Sequence, residues 1–161
     1  VTVLFAKGIQ NIAYLGSDMD QMVNRCRYQG YEEAYRKGKR KLNPDLVYTD
    51  LSSKAMVEKA VEELKKSGVE CILCQDDYIC DEVVRKLARM GVRIPDQMKV
   101  ASCHYSRILE NYPVTITSLK FNITELGRRS CQVLLDMIHG KTVPDKTLLD
   151  YEIILKESTK G

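Results

Sequence analysis

The sequence predicts an α/β fold with a mainly parallel sheet and helices on both faces. Two observations carry that expectation. Short apolar runs alternate with amphipathic stretches almost without a break, the spacing of βαβ units. Helix-start and helix-stop residues also fall between the runs, with Ser53, Asp76 and Asn122 at candidate N-caps and Gly68, Gly91 and Gly140 at candidate ends.

Each element follows in order. Asn11-Ile-Ala-Tyr-Leu-Gly16 has the make-up of a strand ending on a glycine. Residues from about 20 to 37 form a helical pattern with Met22, Cys26, Tyr31, Ala34 and Tyr35 near one face. Leu46–Thr49 is the next expected strand, after Asn43-Pro44. A helix starting at Ser52 or Ser53 carries Val57, Ala60, Val61 and Leu64 as its stripe. Val69–Cys74 is again a strand, and Asp76 or Asp77 then caps a helix bearing Ile79, Val83, Val84, Leu87 and Met90. A strand over 98–103, a loop over 106–113 and an extended stretch over 115–119 follow. Asn122 caps a helix with Ile123, Leu126, Cys131, Leu134, Leu135 and Ile138 on one side, and 149–155 is a final strand before a polar tail.

At 161 residues the chain suits one domain with a respectable core. Apolar residues at 44% and charged residues at 29% are ordinary for a globular protein. A net charge of +3 is too mild to argue for nucleic acid, and no apolar run suits a membrane span. The opening Val1 to Gly8 starts in mid-pattern without an initiator Met, which predicts a piece of a longer protein. The basic run Arg36-Lys-Gly-Lys-Arg-Lys41 sits at a helix end, where cations are favoured, and lacks interleaved aromatics.

The densest group of chemistry-bearing side chains is Cys71-Ile-Leu-Cys-Gln-Asp-Asp-Tyr-Ile-Cys80. Alternation along a strand sends Cys71 and Cys74 to opposite faces, roughly 10 Å apart, too far to share a zinc ion. Free buried thiols are therefore expected, with no metal and no cofactor. Phosphate loops, GxSxG and HExxH are absent, so no catalytic residue is expected. Asp76 and Asp77 stand where a strand hands over to a helix, at the sheet's carboxyl edge, where α/β folds bind ligands. One can cap the helix while Gln75 and the other face the cleft. His104 occupies a similar post-strand position, as a ligand contact or a capping histidine.

Eight segments stand in a telling order: Gly8 to Gly16, Arg27-Tyr-Gln-Gly-Tyr31, Cys71 to Asp76, Met90-Gly-Val-Arg-Ile-Pro-Asp96, Tyr112 to Ser118, Glu125-Leu-Gly127, Leu134 to Gly140 and Lys156-Glu-Ser-Thr159. Together they resemble the LacI/GalR family of bacterial transcription regulators. The resemblance covers essentially the whole chain and implies part of a periplasmic-binding-protein-like (type I) effector domain. It implies a C-terminal subdomain over about 10–117 and 147–157, and a helix over 122–139 that normally belongs to the N-terminal subdomain. That helix should then need a substitute partner, by packing on another copy or folding back.

Carried over residue by residue, the effector contacts are Arg27, whose forked donor suits hydroxyl pairs and carboxylates, and Gln75 with Asp76. Two departures follow: His104 stands where relatives place an aspartate, and Leu51 where an aromatic ring often stacks on the ligand. Losing a carboxylate and a stacking plane points to a small-molecule effector other than an ordinary sugar, such as an anion beside Arg27 and His104, with no small-molecule ligand at all as the alternative. The implied function is ligand sensing and dimerisation for a cytoplasmic repressor, as a homodimer. Contact with DNA would come only through a helix-turn-helix absent from these residues, and none with membrane. An extracytoplasmic solute-binding protein of the same fold and an enzyme using the Cys71–Asp77 cluster are the alternatives.

Overall fold

The computed structural model describes residues 1–160. Its elements run α1 (Thr2–Ala6), β1 (Ile12–Leu15), α2 (Met22–Lys37), β2 (Val47–Tyr48), α3 (Lys54–Lys66), β3 (Cys71–Cys74), α4 (Asp77–Arg89), β4 (Lys99–Ser102), β5 (Thr117–Phe121), α5 (Ile123–Ile138) and β6 (Tyr151–Ile154). One six-stranded sheet holds them in the order β2-β1-β3-β4-β5-β6. All neighbours pair in parallel except β5 with β6, which are antiparallel.

Local chemistry sets the boundaries. The Ser53, Asp76 and Asn122 side chains each accept from the backbone N–H three residues on, occupying a donor that a helix start leaves free. Gly68, Gly91 and Gly140 end their helices at φ of 73°, 66° and 70°, the left-handed region where a Cβ is strained. Pro44 at the first position of a short 3-10 turn over 44–46 starts the approach to β2, which shortens the expected strand to two residues.

β1 and β3 are buried on both faces, as a parallel sheet under two helical layers requires. On one face Leu15, Ile72, Cys74 and Val100 pack against α3 and α4. On the other, Tyr14, Cys71, Leu73 and Ala101 pack against α1 and α2. Cys71 and Cys74 thus lie on opposite sides of the sheet, as strand alternation requires. Burial pushes the Cys71 thiol up to about 12, so it stays protonated.

Four local expectations need correction. Residues 2–6 form a helix that their short pattern did not disclose. In α2, Met22 and Cys26 are exposed, and the buried face is Asn24, Tyr31, Ala34 and Tyr35. Tyr31 and Tyr35 both donate to the Ile12 carbonyl, at 2.7 and 3.1 Å, so two phenols replace the apolar contacts the pattern suggested. Cys131 is exposed too, so burial does not extend to all six thiols. Finally, the polar tail is part of the core: Ser158 and Thr159 have no exposure. The Ser158 hydroxyl donates to the Val100 carbonyl at 2.6 Å and accepts from the Thr117 N–H at 2.9 Å, bridging β4 and β5 below their two paired positions. Thr159 Oγ1 lies 2.7 Å from Thr117 Oγ1.

Candidate functional site

Register places the site. Leu15, Cys74 and Ser102 are aligned across β1, β3 and β4, so Gly16, Gln75 and Cys103 follow together at the carboxyl edge. Backbone bonds hold this row: the Gln75 N–H donates to the Leu15 carbonyl at 2.8 Å, and that of Cys103 to Cys74 at 2.9 Å.

Gln75 is almost completely buried. Its Oε1 accepts from the Ser17 N–H at 3.2 Å and the Tyr14 hydroxyl at 3.3 Å. Gly16 makes room for it: a Cβ there would stand 2.5 Å from Oε1 and 2.7 Å from the Tyr14 ring. The β1–α2 loop is held by Asn24, whose amide donates to the Ser17 and Asp18 carbonyls at 3.0 Å each. This bonding satisfies Oε1 and leaves the Gln75 amide nitrogen buried with no partner.

Arg27 lies on the second turn of α2 over the same face. Burial pushes the Cys103 thiol up to about 11, while the Arg27 cation pulls it down and the Asp76 carboxylate pushes it up. Tyr14 is raised by burial first and feels the same two charges in the same opposed senses. Arg27, Asp76, Tyr14 and Cys103 therefore surround one region. Arg27 has no carboxylate at ion-pair distance among the described residues. Beside it opens a cavity of about 410 Å³ between α2 and β4–β6, walled by Leu73, Leu119, Phe121, Tyr151 and Ile153.

Asp76 is the α4 cap, accepting from the Ile79 N–H at 2.9 Å. Asp77, which the sequence offered only as an alternative cap, holds His104 instead: Nδ1 stands 3.3 Å from its Oδ1. Burial works to raise the Asp77 carboxyl, but hydrogen bonds from Ser106 and His104 outweigh it and hold its pKa below the ordinary value. The His104 ring stacks on Phe121, with centroids 6.4 Å apart.

The structure thus brings Arg27, Gln75 and Asp76 together, with His104 adjacent through Asp77. Leu51 it places elsewhere. Its N–H reaches the Gly16 carbonyl at 3.1 Å, but its side chain is buried in the cluster containing Leu15, Val57 and Ile79, on the α3–α4 face. Tyr14, Ser17 and Cys103 were missed; strand parity counted from Gln75 would have found Tyr14 and Cys103. Among the described residues no group of three or more His, Cys, Asp and Glu side chains could hold a metal ion. No helix is long and apolar enough to cross a membrane.

Comparison with known proteins agrees with this architecture. Residues 1–159 match the periplasmic binding protein-like domain. The chain is 28% identical to the HTH-type transcriptional regulator GntR of Pseudomonas aeruginosa, over 97% of this chain and 46% of that protein. It is 26% identical to the HTH-type transcriptional repressor PurR of Haemophilus influenzae, over 96% and 48%. Among solved structures, the CelR–cellobiose complex superposes with a TM-score of 0.86 at 25% identity, over 98% of this chain and 49% of that one. The regulator CcpA of Lactococcus lactis shares the fold, with a TM-score of 0.87 at 24% identity over 99% and 59%. The chain spans about half the length of the curated relatives it matches.

Proposed function

Because the chain belongs to the periplasmic binding protein-like domain family, in the form carried by LacI-type transcriptional regulators, we propose that it is the ligand-sensing and dimerising part of such a regulator. The carrying observation is the grouping of Arg27, Gln75 and Asp76 at the sheet's carboxyl edge, where α/β folds bind small molecules. His104, tethered by Asp77, stands beside them. Leu51 contributes through its backbone, whose N–H holds the Gly16 carbonyl.

In this reading residues 10–117 and 147–157 are one subdomain, and α5 serves a companion subdomain that closes over the ligand. Closure shifts a two-state hinge and so changes the DNA affinity of an attached reading head in a cytoplasmic homodimer. Pairing would use the outer faces of α3 and α4 with the 106–112 segment. Relatives named as transcriptional regulators favour this reading over a solute-binding protein or an enzyme.

The test is a gel shift of a protein carrying a helix-turn-helix ahead of Val1, with and without a small molecule that raises its melting temperature. A ligand-dependent change in operator affinity is expected, lost in Arg27→Ala. Operator binding indifferent to every stabilising ligand would overturn the proposal, as would specific, salt-resistant DNA binding by residues 1–161 alone.

A further inference from the structure

Resting on the sensing role proposed above, the geometry points to a class of ligand: we infer that the site takes an acid, a small molecule presenting a carboxylate or phosphate to Arg27. The argument is an accounting of donors and acceptors. The neighbouring acceptors are engaged. Gln75 Oε1 takes two donors, Asp76 Oδ1 takes the Ile79 N–H, and Asp77 is held by His104 and Ser106.

The unspent groups are donors. Among the described residues Gln75 Nε2 has no partner although the side chain is 1% exposed, an unfavourable arrangement unless something accepts from it. Arg27 is half-buried and, among the described residues, has no carboxylate at ion-pair distance and is the one charged side chain lining the adjoining cavity. An apolar wall lowers the local dielectric and strengthens the attraction of that cation for an anion. A neutral polyol needs several free acceptors as well as donors, and the second oxygen of Asp76 and His104 Nε2 are what is left for it. A carboxylate or phosphate answers the unpartnered Arg27 cation that lines the cavity, since guanidinium binds planar oxyanions through paired N–H groups.

The experiment follows the Ser17 backbone amide and the Arg27 Nε–H by NMR in the 161-residue chain. Sodium acetate, inorganic phosphate, sodium chloride and glucose are added separately, the salts at matched ionic strength. Saturable shifts with acetate or phosphate are expected, half-complete on the order of 10 mM, as a few charge-assisted hydrogen bonds would give. A response to acetate alone identifies a carboxylate ligand and one to phosphate alone a phosphate ester. Arg27→Gln should weaken the Ser17 response about tenfold, with Arg27→Lys retaining part of it. Equal shifts with chloride, or binding unchanged in Arg27→Gln, would overturn the inference. Shifts with glucose but not with the anions would overturn it while leaving the sensing role intact. Silence with all four would overturn the inference and leave the sensing role to the gel shift.

Discussion

In α3 and α4, Val61, Leu64, Val83 and Leu87 are at most 1% exposed, whereas in α5 an equally regular stripe of Ile123, Leu126, Leu134 and Ile138 is more than half exposed. The body covers its apolar stripes with the sheet. The arm made by α5 and β6 has no buried residue at all, although Asn122 caps the helix and Glu125 pairs with Arg128 and Arg129. Local signals are as good in one region as in the other. What differs is the presence of a neighbour, and amphipathic periodicity reports that a helix needs one without saying which.

Paired core truncations test this contrast most strongly. Leu87→Ala should cost about 2–5 kcal/mol in urea unfolding, because it opens a cavity where nothing can collapse. Leu134→Ala should cost under about 0.5 kcal/mol. A comparable loss at Leu134 would mean that α5 is covered in solution, by a second copy or by folding back. Solution scattering would then tell a compact dimer from a monomer with a projecting helix.

The tail bridge should come next. Ser158→Ala strands the Val100 carbonyl and the Thr117 N–H, at about 1–3 kcal/mol, and the β4–β5 amides should lose hydrogen-exchange protection. Ala at Gly16 should cost about 1–3 kcal/mol by forcing Gln75 and Tyr14 apart, and a shift of the Ser17 amide resonance would report it.

The smallest expected effect is a pH dependence. The folded Asp77 carboxyl sits below its ordinary value, so its contribution is present above the unfolded pKa, near 3.9. That contribution is lost as pH falls through the folded value. Asp77→Asn should therefore lose less stability than the parent between pH 5 and acid, and His104 should leave its place in NMR spectra. Identical acid limbs in the two proteins would show that the Asp77–His104 pair contributes nothing.

Most of the fold was legible because its causes are local. Ser53, Asp76 and Asn122 cap where their side chains reach the nearby backbone, and Gly68 and Gly91 stop helices whatever surrounds them. The site was legible in part. Gln75, Asp76 and His104 stand after strands, positions that alternation and topology define, whereas Arg27 on the facing helix came only from the family resemblance.

Leu51 and the Ser158–Thr159 tail were not legible, for the same physical reason. Which face of the sheet a loop side chain enters, and whether a polar tail finds buried partners, depend on groups distant in the chain: Leu51 joins Leu15 and Ile79, and Ser158 bonds to Thr117 and Val100. By itself, then, the sequence determined the parallel α/β architecture, the helix ends and the edge at which the candidate ligand contacts stand. The tertiary structure alone decided that Gln75 spends its oxygen and keeps its nitrogen, that Arg27 has no carboxylate partner among the described residues, and that α5 stands bare, because each is a matter of which distant group arrives within hydrogen-bond or van der Waals reach.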